Sequence, residues 1–235
     1  MTQDFNWSGV RDRVSAVRRS HGAPKIFGST GRSGHGFALA DPLTEAEVTE
    51  AESQFGVEFP AEYREFLLNV SAGGAGPHYG LAILSRGGDS RWDWDCTAAD
   101  PVKPDRLGQP FGGEPAVAAA ISALDAHDAV EPNRTDFPAG GYEAARARWI
   151  QDDDALFDEL VPLPGVVAVA HHGCGYLDWL AMTGPERGSI WTDGHGNGLY
   201  LQRTRSADGR PLGFFTWYMA WLEASEAALQ RSGQE

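Results

Sequence analysis

Apolar residues recur at helical spacing from the start of the chain. Phe5, Trp7, Val10, Val14 and Val17 are interleaved with Arg11, Arg13, Arg18 and Arg19, which predicts a basic amphipathic helix. Such a helix either docks on the protein or rests on a membrane surface, and the shortness of its apolar face favours docking. Residues 21–36 are dense in Gly and Ser and read as a loop. At Thr44 the pattern becomes sharper. Thr44 can cap a helix, Glu47 stands at the return position of a capping box, and Val48, Ala51 and Phe55 form the buried stripe that Gly56 ends. Pro60 opens a second helix with Tyr63, Phe66, Leu67 and Val70 on one face. Residues 71–80 then forbid helix, and residues 81–84 read as a short strand.

The middle of the chain is punctuated by prolines, and two helices emerge from it. One begins at Pro115 and carries Val117, Ile121 and Leu124; the other carries Tyr142, Ala145 and Trp149. Asp152, Asp153 and Asp154 follow and read as a solvated turn capping Leu156, Phe157 and Leu160. From Val166 the text shifts to short apolar segments separated by glycines: residues 166–170, 176–182 and 189–193 predict strands. Residues 183–188 form an antiparallel hairpin turn and the glycines after Asp193 supply the next turn. A last helix over residues 215–229 places Tyr218, Trp221, Leu222 and Leu229 on one face. Strands and helices do not alternate throughout, so the expected class is α+β, with a mixed, mainly antiparallel sheet flanked by helices.

Size and composition agree with a globular chain. Its 235 residues and 42% hydrophobic content are enough for one sizeable core, and no apolar run approaches the roughly 20 residues that span a bilayer. A cytoplasmic protein is expected. The two cysteines, Cys96 and Cys174, exclude a multi-disulfide scaffold and leave a single bridge open, with reduced thiols the default.

Charge narrows the partners. Residues 1–40 hold 6 basic against 2 acidic residues, and the rest hold 13 against 31, so the body carries −18 of a net −14. That sign disfavours nucleic acid, whose affinity comes from cations displacing counterions, and favours a basic protein if the charge does more than maintain solubility.

Candidate chemistry is sparse. His171, His172, Cys174 and His195 are the only grouping that resembles metal ligands, but adjacent histidines on a strand point to opposite faces, and neither CxxC nor HExxH occurs. Cys174 with His172 as a nucleophile pair lacks an identifiable orienting group. The glycine loops lack the phosphate-binding pattern, and the aspartate triplet lacks calcium-loop spacing. No catalytic residues, metal or cofactor are therefore expected. In residues 90–96, SRWDWDC, Trp92 and Trp94 alternate with Asp93 and Asp95. On a strand this makes one aromatic and one acidic face, and the tryptophans are either core or an exposed anchor for a basic partner.

The segment at residues 43–81 resembles the start of a SUKH superfamily domain, the Smi/Knr type. The resemblance lies in the capped first helix, the Gly56-Val57-Glu58-Phe59-Pro60 connection, the helix with Tyr63, Arg64, Glu65, Phe66 and Leu67, and the loop from Gly73 to Leu81. A second block agrees: Gly173-Cys174-Gly175, the turn at residues 183–188, Trp191, and the closing helix at residues 215–222, with Pro110-Phe111 matching the midpoint signature. The division expected is an N-terminal helix and Gly-rich loop over residues 1–36 and a SUKH-like domain over residues 37–230, poorly matched around 86–160. The resemblance implies an α+β fold without characteristic catalysis. It also implies a bacterial immunity protein that binds a cognate toxin domain of a polymorphic or contact-dependent system, the alternative being a regulatory scaffold like the fungal relatives. A basic nuclease-type toxin fits the acidic body. The contact residues expected are Trp92, Asp93, Trp94 and Asp95, with Asp152, Asp153 and Asp154 as an electrostatic rim.

Overall fold

The structure, a computed structural model, describes residues 5–31, 34–95, 103–194 and 200–232. Its centre is a four-stranded antiparallel sheet of β3 (Val166–Gly173), β4 (Tyr176–Ala181), β5 (Ile190–Asp193) and β6 (Leu201–Arg203), in sequence order. Each strand pairs antiparallel with its predecessor, as the glycine spacing predicts. A separate hairpin pairs β1 (Ile83–Arg86) with β2 (Trp92–Asp95). Ahead of β1, residues 79–82 run beside β3: the Tyr79 and Ala82 amides donate to the His171 and Val169 carbonyls, and Leu81 bridges Ala170. This segment covers the β3 edge of the sheet.

Alternation assigns the two faces. Val167, Val169, Leu180, Met182 and Ile190 enter the larger core, whereas Val166, Ala168, Leu177, Trp179, Ala181 and Trp191 enter a second one. The larger core is roofed by α1 (Val10–Arg19), α2 (Glu45–Phe55), α3 (Ala61–Asn69) and α7 (Phe214–Ser232). The predicted capping box of α2 is present: the Glu47 amide donates to the Thr44 hydroxyl (3.3 Å) and the Thr44 amide to the Glu47 carboxylate (2.8 Å). Gly56 ends the helix in the left-handed conformation at φ 65°. The basic helix α1 is docked. Val10, Val14 and Val17 are buried in the larger core, and Arg13 makes a two-pronged ion pair with Glu226 of α7 (2.8 and 2.7 Å).

The second core is covered by α5 (Glu114–Asp128), through Val117 and Ala120. Phe111 fills its centre and meets Trp191 edge-on at 5.0 Å. Gly184, at φ 77°, lets the β4–β5 hairpin approach: a Cβ there would lie 2.3 Å from the Phe111 carbonyl oxygen. The short helix α4 (Pro104–Leu107) precedes this region. Helix α6 (Tyr142–Leu160) packs on α5, and it corrects one expectation, because Asp152, Asp153 and Asp154 lie inside this 19-residue helix and form no turn. The helix begins at Gly141 without a side-chain cap, and at its other end the Lys103 and Arg106 side chains donate to the last-turn carbonyls of Asp158 and Glu159.

Candidate functional site

The tryptophans of β2 are core. Trp94 lies 4.5 Å from Phe55, and its indole N–H donates to the Tyr63 hydroxyl at 2.8 Å. Burial pushes the Tyr63 hydroxyl well above the ordinary tyrosine range, so it stays protonated and bonded. Trp92 is held at the sheet edge by Gln54, which accepts from its amide (2.8 Å) and donates to its carbonyl (2.7 Å). Arg86 lies over the Trp92 ring at 5.0 Å. Neither indole is an exposed anchor; of the four residues of β2, only Asp93 and Asp95 face solvent.

The aspartate triplet is divided by the helix that carries it. A half-buried stripe of α6 runs through Tyr142, Ala145, Trp149, Asp153, Leu156, Phe157 and Leu160, which is the helical period facing α5. Trp149 stacks on His127 of α5 at 4.9 Å and donates its indole N–H to the His127 carbonyl (3.1 Å). Asp153 reaches within 3.9 Å of the same histidine. Asp152 and Asp154 flank the stripe and are exposed. The acidic surface of the hairpin is therefore presented by Asp152, Asp154 and their exposed neighbours Asp158 and Glu159.

A second grouping forms on the sheet face that carries the larger core. Asp178 lies between Leu177 and Trp179 of β4, points to the same face as Leu180, and is 1% exposed. Across the β4–β5 pair, Thr192 donates its hydroxyl to Asp178 Oδ1 at 2.6 Å. Having one proton, Thr192 must then accept in its 2.8 Å contact with Thr204, so the hydroxyls form a chain from Thr204 through Thr192 to the carboxylate. The other oxygen, Oδ2, faces two imidazoles: His172 Nε2 at 2.8 Å and His78 Nε2 at 3.4 Å. The two rings stack with centroids 3.4 Å apart. Burial pushes the Asp178 carboxyl up, but the close approach of His172 and His78 and the Thr192 bond outweigh it, and the group is held below the ordinary aspartate range.

The neighbouring histidines part as strand alternation requires. His172 meets His78 and Asp178, while His171 lies beside Tyr79 (5.7 Å) and lines a different cavity with His35 and Asp95. Cys174 is exposed at the β3–β4 turn with φ 54°, and His172 is turned to Asp178. Cys96 and His195 lie outside the described residues. His78 and Asp178 were not legible as a site in the sequence. The one local signal is a lone carboxylate within the apolar run of residues 176–182, since a buried acid demands a partner.

The profile of the SMI1 / KNR4 family (SUKH-1) matches residues 42–206, well over half of the chain. The protein belongs to the SUKH-1 family. The match starts just before α2 and ends past β6, so it includes the α5–α6 hairpin and leaves α1 and α7, which pair through Arg13 and Glu226, outside it. No curated protein and no solved structure matches significantly. No helix of the described residues is long and apolar enough to cross a membrane.

Proposed function

We propose that this SUKH-1 protein is a non-catalytic immunity protein of the cytoplasm, which neutralises a cognate toxin domain by stoichiometric binding. The observation that carries this reading is the α5–α6 hairpin of a family domain: α6 buries none of its 19 residues and displays acids instead. A helix that contributes little to the core is free to diversify, which suits recognition of one toxin among many. The exposed acids, in a chain of net charge −14, attract a basic surface and would speed its association. Asp152 and Asp154 form an electrostatic rim of this contact, Asp153 orients the helix through His127, and Asp93 with Asp95 offers a second acidic edge.

Affinity capture of the tagged protein from its own cells, at low and high salt with mass spectrometry of what is retained, tests the reading. Recovery of one basic toxin domain, weakened by salt, is the expected result. Recovery of signalling or housekeeping proteins instead assigns the scaffold role of the fungal relatives. Substrate turnover by the purified protein without a tight partner sinks both.

A further inference from the structure

We propose that His78, His172 and Asp178 form a binding site for one borderline divalent transition-metal ion, zinc being the first choice. Each residue offers one ligand atom, and the three atoms lie within 4.8 Å of one another. The separations of Asp178 Oδ2 from the two imidazole Nε2 atoms, 2.8 and 3.4 Å, bracket the spacing that an ion imposes. Metal–ligand bonds of about 2.0 Å at tetrahedral angles place neighbouring ligand atoms about 3.3 Å apart. His172 Nε2 and Asp178 Oδ2 are both buried, and despite their proximity neither has an aligned hydrogen-bond partner. Two potential ligand atoms thus face the same small volume in a contact that is not an aligned hydrogen bond.

The surroundings fit the same occupant. Asp178 is almost wholly buried, and among the described residues no lysine or arginine reaches it, so its charge is answered only by the histidines. The Thr204–Thr192 hydroxyl chain holds Oδ1 and leaves Oδ2 free, which is how outer-shell hydrogen bonds orient a ligating carboxylate. Two nitrogens and one carboxylate oxygen suit zinc, cobalt, nickel or copper, whereas calcium and magnesium require more oxygens. His78 is the ligand with freedom to close on the ion: it sits on the loop before β1, at φ 56°, with a third of its side chain exposed. A bound ion would tie that loop to β3 and β4, leaving its fourth coordination position toward solvent on the His78 side.

The test is Co(II) and Zn(II) titration of metal-stripped full-length protein, read by the visible absorption of low-coordinate Co(II) and by calorimetry. One ion per chain is expected, with a rise in thermal midpoint on adding zinc. His78→Gln and His172→Gln should each weaken binding at least about tenfold, since outer-shell changes alone cost that much. Thr192→Val should weaken it about tenfold. His127→Gln, on α5, should bind like wild type. No uptake by wild type at micromolar metal, or equal uptake by His78→Gln and His172→Gln, overturns the proposal and leaves the cluster a histidine–carboxylate contact. Should the buried His172 change prevent folding, His78→Gln on the exposed loop decides alone. Neither result depends on the toxin partner.

Discussion

Helices α6 and α7 are each 19 residues long, yet they stand in opposite relations to the fold. Helix α7 buries Phe214, Trp217, Tyr218, Leu222 and Ser225, and its aromatic rings interlock with Trp7 ahead of α1 and with Tyr63 and Phe66 of α3. Helix α6 touches the protein along one half-buried stripe, chiefly through Trp149 on His127, and shows charge elsewhere. The apolar period is present in both. What differs is the width of the stripe and what it meets: α7 fills a groove between the sheet and two helices, while α6 lies on another helix that is itself peripheral. Local opening should therefore be inexpensive for α6 and nearly global for α7.

The largest expected effect attacks α7. Phe214 is fully buried and lies 5.0 to 5.3 Å from the rings of Tyr63 and Phe66. Phe214→Ala should cost about 3 to 5 kcal/mol by leaving a cavity among rings that cannot all move to fill it. Ile150→Ala on α6, at a side chain already 38% exposed, should cost under about 0.5 kcal/mol. Urea unfolding of both variants checks the contrast, and equal losses would show that α6 belongs to the cooperative core.

A smaller effect comes from acid and sharpens the comparison, because the group concerned leans on α7. The His35 ring meets Trp221 edge-on at 5.7 Å, and its Nδ1 accepts from the Phe37 amide at 2.9 Å, which requires that nitrogen to be unprotonated. Burial lowers its pKa from 6.5 to about 4. The unfolded chain takes up a proton near 6.5 that the folded chain refuses until about 4, so stability falls as pH drops through this window. The loss is at most about 3 kcal/mol, less where solvent reaches the ring. His35→Gln should flatten this part of the pH profile in urea melts at about pH 7 and about pH 4.5. An unchanged slope would locate the acid sensitivity elsewhere.

The same contrast explains what the sequence discloses. Thr44 with Glu47, Gly56, and the turn at residues 183–188 announce their elements because each acts over a few residues, and the structure contains them as read. The aspartate triplet misled because a run of acids resembles a solvated turn; inside α6 it is tolerated because Asp152 and Asp154 face water and Asp153 meets His127. The tryptophans of β2 were ambiguous because alternation separates two faces without saying which is covered; α2 and α3 cover that of Trp94 with Phe55 and Tyr63. The lone carboxylate of Asp178 in an apolar run signals that a partner is needed, but its grouping with His78 and His172 could not be read locally. It depends on the bulged register that sets Ala170 opposite Asp178, on the pairing of Asp178 with Thr192, and on a loop about a hundred residues earlier in the chain.

The smallest effect on stability should accompany a large effect on binding, and that pairing tests the comparison most directly. Replacing Asp152, Asp153 and Asp154 together by Asn keeps side-chain size and nearly keeps helix propensity, while removing three negative charges from α6. With two of the three exposed and the third only 3.9 Å from His127, the unfolding free energy should move by no more than about 0.5 kcal/mol. Affinity for a basic partner should nevertheless fall, and its salt dependence should become shallower, because charges on the rim of an interface act through long-range attraction more than through local packing. Binding measured at two ionic strengths alongside urea unfolding distinguishes the cases. A stable variant with weakened, less salt-sensitive binding places recognition on α6. A stable variant that binds as before moves recognition away from this helix, with the exposed pair Asp93 and Asp95 the next to change.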